Sequence, residues 1–162
     1  MSPLTSRRVR RFFALTVLVA AALVFAARFG AARADGPVYK SAAGVAINGT
    51  DPVAYFTQGR AVEGTAAYSY AWMGADWHFV SADDLAKFKA DPAKYAPQYG
   101  GYCAYAVSEG AAAPTVPEAW TIAGGKLYLN FSKGVRTLWR SNRDAYITAA
   151  NANWPKIKAG LH

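Results

Sequence analysis

The chain has 162 residues, 18 of them Lys or Arg and 10 Asp or Glu, with a formal charge of +8 and a single cysteine. That length supports one sizeable hydrophobic core, and a lone cysteine excludes an internal disulfide, so stability must come from packing. The positive charge is unevenly placed: Arg7, Arg8, Arg10, Arg11, Arg28 and Arg33 precede residue 35 and no acidic residue does, which leaves 12 basic against 10 acidic residues, or +2, in the remainder. Nucleic acid is therefore set aside as a partner.

Residues 1–34 have the build of an export signal. Arginines lead, Phe12 to Ala27 is an uncharged apolar run short for a bilayer, and Ala32-Arg33-Ala34 offers small residues at the two positions a signal peptidase reads, which predicts cleavage before Asp35. Arg10-Arg11-Phe12-Phe13 also resembles the core of a twin-arginine signal, so that route and the general secretory route both stand, with an uncleaved anchor as the alternative. The expectation is a periplasmic or secreted protein without stable membrane association after processing.

Residues 35–44, with Gly36, Pro37 and Gly44, read as a flexible mature N-terminus. Val45-Ala46-Ile47 reads as a short strand and Asn48-Gly49 as a turn. Asp51 followed by Pro52 gives an N-cap and a first-turn proline for a short helix ending near Gly59. From Ala66 to Val80 the alternation of aromatic residues predicts a hairpin, with Tyr68, Tyr70 and Trp72 on one face, a turn at Met73-Gly74-Ala75, and Asp76 and His78 opposite Trp77 and Phe79. Ser81 opens an amphipathic helix that sends Leu85 and Phe88 inward; Asp91-Pro92 ends it.

Tyr95 to Ser108 concentrates the chemistry, with the only cysteine, Cys103, two residues beyond the Gly100-Gly101 pair and with Tyr99, Tyr102 and Tyr105 around it. Two adjacent glycines permit a close approach by another chain segment or a ligand. A loop from Glu109 to Glu118 follows, then a hairpin of Trp120–Ala123 and Lys126–Asn130 turning at Gly124-Gly125. Ser132 caps a last helix on which Val135, Leu138, Trp139, Tyr146, Ala149 and Ala150 share a side, Arg140 and Asp144 pair four apart, and Trp154-Pro155 is the stop, with 158–162 a tail. Hairpins and helices without a βαβ rhythm predict a small single-domain α+β fold.

Taken together, Asp51-Pro52-Val53-Ala54-Tyr55-Phe56, Trp77-His78-Phe79-Val80-Ser81, Phe88 with Asp91-Pro92 and Tyr95, Gly100-Gly101-Tyr102-Cys103-Ala104, Lys126-Leu127-Tyr128-Leu129-Asn130 and Trp154-Pro155 resemble the YHS-domain family, over residues 45–157. The resemblance implies a treble-clef-like core with a C-terminal helix and a metal-binding role, copper especially. The thiolate ligands of the better-understood members fall at positions that here read Ala54, Val80 and Asp84. Cys103 in its Gly-Gly-Tyr-Cys segment looks typical of an exported branch of the family, whose activity the resemblance does not define.

Three uses of Cys103 compete: a buried inert thiol, a metal ligand, and a reactive or intermolecular thiol. A copper(I) site could draw on Cys103, His78 and Met73, with the terminal His162 as a further donor; a four-ligand zinc site could not be assembled from these. An enzyme would need Cys103 as nucleophile and His78 as base, oriented by Asp76 or Asp84. A third reading makes the chain a binder of a small ligand or protein partner through aromatic side chains, with Gly100, Gly101, Tyr99, Tyr102 and Tyr105 framing the site and Cys103 structural. The primary expectation is an exported binding module holding copper through Cys103.

Overall fold

The computed structural model describes residues 37–161, so the expected export signal with its expected cleavage before Asp35, Met1 and His162 lie outside the described residues. The domain is a small α+β fold. A 3-10 turn, Ile47–Gly49, precedes a one-turn helix α1 (Ala54–Thr57) and the antiparallel hairpin β1 (Thr65–Trp72) and β2 (Ala75–Phe79). Helices α2 (Ala82–Ala90) and α3 (Pro92–Tyr95), a second 3-10 turn (Gln98–Gly101) and α4 (Ala104–Ser108) lead to a second hairpin of β3 (Trp120–Ala123) and β4 (Lys126–Leu129). Two helices close the chain, α5 (Lys133–Ser141) and α6 (Arg143–Ala159). Among the described residues no helix is long and apolar enough to cross a membrane.

The local signals act where they stand. Met73 and Gly74 both take positive φ (51° and 75°), which matches a two-residue turn to the twist of the strands it joins and pairs Trp72 with Ala75. Gly124 and Gly125 do the same between β3 and β4, pairing Ala123 with Lys126. Along β2, Ala75, Trp77 and Phe79 are buried while Asp76 is exposed and His78 half-buried. Ser81 Oγ accepts the Asp84 N–H at 3.1 Å and Ser132 Oγ the Val135 N–H at 3.2 Å, capping α2 and α5.

Two cores result. Trp77, Phe79 and Phe88 centre the first, with Trp77 and Phe79 ring centroids 5.2 and 5.1 Å from that of Phe88. Tyr99, Val107, Tyr128, Trp139 and Ala150 form the second, between α4, α5 and α6. Strand β4 belongs to both, because its side chains alternate: Leu127 and Leu129 enter the first core and Tyr128 the second.

Five expectations change. Val45 and Ala46 make isolated bridges to Asp76 and Lys40 rather than a strand, and residues 37–40, expected to be flexible, dock: Val38 is buried and the Tyr39 N–H donates to Gly100 O at 2.8 Å. The last helix breaks at Asn142 (φ −142°, ψ 45°), which destroys the register between Arg140 and Asp144; Asp144 pairs with Arg143 instead, at 2.8 Å. Pro155 lies inside α6, which continues to Ala159 because Trp154 is held against the rings of Tyr99 and Tyr102. Leu138, expected on the buried side, is 46% exposed.

Candidate functional site

The Gly100-Gly101 opening is filled by the chain itself. Gly100 has φ 61°, and a Cβ there would collide with the Pro37 carbonyl oxygen; Gly101 has φ 85°, and a Cβ would stand 2.6 Å from Ile47 Cγ2. Both glycines are therefore required by close packing, the first against the backbone of residues 37–38 and the second against a core side chain. Thr115 Oγ1 donates to Gly101 O at 2.9 Å, and Asn48 Nδ2 donates to Thr115 O at 3.0 Å, so the 109–118 loop seals the other side.

Cys103 follows this seam and is 1% exposed. It is the N-cap residue of α4, a helix the sequence reading left out. Its Sγ accepts the Phe131 N–H at 3.3 Å and its thiol faces Asn130 Oδ1 at 3.8 Å; that same oxygen accepts the Tyr105 N–H at 3.3 Å. Asn130 is fully buried and ties Cys103 and the first turn of α4 to the end of β4. The thiol is thus a polar joint inside the protein, and the glycines do not open it to solvent.

The other expected donors have different surroundings. His78 is half-buried on the solvent-facing side of β2, with Nδ1 beside Gly49. Met73 sits in the β1–β2 turn and is 40% exposed. Among the described residues no group of three or more His, Cys, Asp or Glu side chains could hold a metal ion. A copper(I) site wants sulfur or imidazole donors converging on one point; the polar contacts of the Cys103 sulfur are Phe131 N and Asn130 Oδ1.

A different buried group gathers the positions that the resemblance matches to thiolate ligands. Asp51 is fully buried; Oδ1 accepts the Val53 and Ala54 N–H groups at 2.7 and 3.3 Å, and Oδ2 accepts the Val80 N–H at 2.9 Å. Burial, opposed by these three N–H donors and reinforced by the Asp84 charge, pushes the Asp51 carboxyl up to about 6. Ala54, Val80 and Asp84 thus surround one carboxylate. No protein-family profile, curated protein or solved structure matches the chain.

The tyrosines divide. Tyr99 is buried and its hydroxyl donates to Asn151 Oδ1 at 2.9 Å; burial holds the phenol well above its ordinary range. Tyr102 packs between Tyr39 and Trp154 with tilted rings, centroids at 5.6 and 6.3 Å. Tyr105 packs on Tyr146. All three serve the joint between the seam and α4–α6, and the neighbouring Gly100 lines a cleft.

That cavity is a half-enclosed cleft of about 90 Å³. Trp72, Met73 and Trp77 from the first hairpin form one wall, Trp154 and Lys158 of α6 another, and Pro97 and Gly100 the floor. In sequence Trp72 and Trp77 read only as strand-face residues of the first hairpin, and Trp154 only as part of a stop signal. The hydrophobic alternation that identifies a buried aromatic residue does not reveal that its edge also lines a cleft.

Proposed function

We propose that this chain is a YHS-type binding module in which Cys103 is structural and the cleft between the β1–β2 turn and α6 holds a flat apolar ring. The observation that carries the proposal is the cleft itself: tryptophans from two distant parts of the chain, a flexible thioether and one cation at a single concave place. Aromatic walls favour a ring by dispersion and edge-to-face contact, and Met73 can adapt to its outline. The cleft is small and open on one side, which suits a flat ring system inserted edge-on with its outer rim in solvent. Lys158 supports a ring that carries a carboxylate. Ala54, Val80 and Asp84 gathering around Asp51 supports the YHS assignment.

The test is a titration of the full-length chain with indole and indole-3-carboxylate, following the tryptophan indole N–H signals by NMR. Saturable shifts at Trp72 and Trp154, weakened at least tenfold in Met73→Glu, are expected. Signals that do not move would overturn the proposal. The metal reading is tested beside it: copper(I) uptake under reducing conditions, lost in Cys103→Ser, would restore Cys103 as a ligand.

A further inference from the structure

A second cleft, of about 410 Å³, lies on another part of the surface and shares no residue with the aromatic one. Arg60 and Ala61 after α1, Glu118 and Trp120 at the start of β3, and Lys133 and Arg136 on α5 line it. Three cations and one carboxylate leave it at +2, as large as the net charge of all residues from 35 onward. Among the described residues neither Arg60, Lys133 nor Arg136 forms an ion pair, although Glu118 lines the same wall.

Arg136 is built into this wall. Its Nη1 donates to Glu118 O at 3.3 Å and to Trp120 O at 3.4 Å, which fixes the guanidinium, and its buried Nε has no hydrogen-bond partner. Nη2 has no acceptor among the described residues. A guanidinium with Nη1 anchored to backbone holds its Nη2 N–H groups in a set direction, an arrangement suited to the oxygens of a carboxylate or phosphate. Lys133 adds a movable charge at the first turn of α5, and Arg60, braced by Gln58 Oε1 at 2.8 Å, adds another from the opposite side. Trp120 is half-buried, with its ring fixed against Tyr55 at 5.3 Å, so it offers a rigid apolar surface beside the cations.

We infer that this cleft binds an aryl oxyanion, its carboxylate or phosphate on Arg136, Lys133 and Arg60 and its ring against Trp120. Clustered like charges in a concave surface focus their field on a small anion, while the ring gains contact area that a bare anion lacks. Glu118 opposes binding and limits its strength.

The experiment titrates the full-length chain with phenyl phosphate and with benzoate at low salt, following the Trp120 indole N–H signal by NMR. Inorganic phosphate and phenol are the controls. A saturable shift is expected with at least one aryl oxyanion, at half-saturation tenfold or more below either control; the tighter of the two identifies the source as a phosphate ester or a carboxylate. Lys133→Glu and Arg60→Glu, both at exposed positions, should each raise half-saturation at least tenfold with circular dichroism unchanged, and Glu118→Gln should lower it several-fold. No saturable shift, equal binding of phenol or inorganic phosphate, or indifference to Lys133→Glu would overturn the inference.

Discussion

Replacing Cys103 by alanine tests whether the thiol is a joint or a site. Two interactions are lost: the Phe131 N–H loses its acceptor at 3.3 Å, and Asn130 Oδ1 loses the thiol. The Phe131 N–H is partly buried, and leaving it unpaired costs about 1–3 kcal/mol, while the vacated sulfur volume adds about 1 kcal/mol. The expected destabilisation is about 2–4 kcal/mol, measured as a lower urea midpoint at constant m-value. Serine, which can still accept the Phe131 N–H, should cost less than alanine. In the wild type, alkylation of the thiol requires opening of the fold. An opening free energy of about 5 kcal/mol, the low end for a domain, slows the reaction by a factor of about 5,000 relative to the unfolded chain. Iodoacetamide kinetics with and without guanidinium give this ratio directly. Native alkylation at the unfolded rate, or an alanine variant as stable as wild type, would refute the reasoning.

Asp51 predicts a pH dependence. Its carboxyl titrates near 6 in the fold against an ordinary 3.8, so between those values the folded state holds the extra proton and stability falls as pH rises; below 3.8 the contribution is fully present, and above 6 the loss is complete. Two units correspond to about 3 kcal/mol, and urea unfolding of wild type and Asp51→Asn from pH 3.5 to 7 should show this slope in the first and not in the second. Asp51→Asn should also be less stable at pH 4, because an amide cannot accept the Val80 N–H through its nitrogen. Gly100→Ala meets the Pro37 carbonyl oxygen at a positive φ, and the displaced 37–40 segment loses the Tyr39–Gly100 hydrogen bond; about 2–4 kcal/mol should be lost, with hydrogen exchange at Tyr39 accelerated well beyond the global change. Asn130→Ala removes the acceptor for Tyr105 N–H and should cost about 1–3 kcal/mol, read from the thermal midpoint.

Local chemistry was legible wherever one short segment decides the outcome. Both two-residue turns, the caps at Ser81 and Ser132, the alternation of β2 and the α+β character all follow from neighbouring residues. What escaped depends on contacts distant in sequence. Pro155 continues a helix because Tyr99 and Tyr102, some fifty positions earlier, hold Trp154. The Gly100-Gly101 pair signalled a close approach, and only the fold reveals that residues 37–38 and Ile47 make it. Cys103 drew attention as a lone thiol in an export context, whereas its role depends on Asn130, whose side chain gives no hint in sequence that it is fully buried. Nothing in the sequence around Lys133 and Arg136 shows that the start of β3 stands beside them.

Strand β4 separates two interiors with one short backbone, Leu127 and Leu129 facing one way and Tyr128 the other. Losing that strand strips a wall from both halves at once. Heating should therefore melt the hairpin side and the helical side together, and a flaw introduced on one flank should be felt on the opposite flank as the same drop in melting temperature.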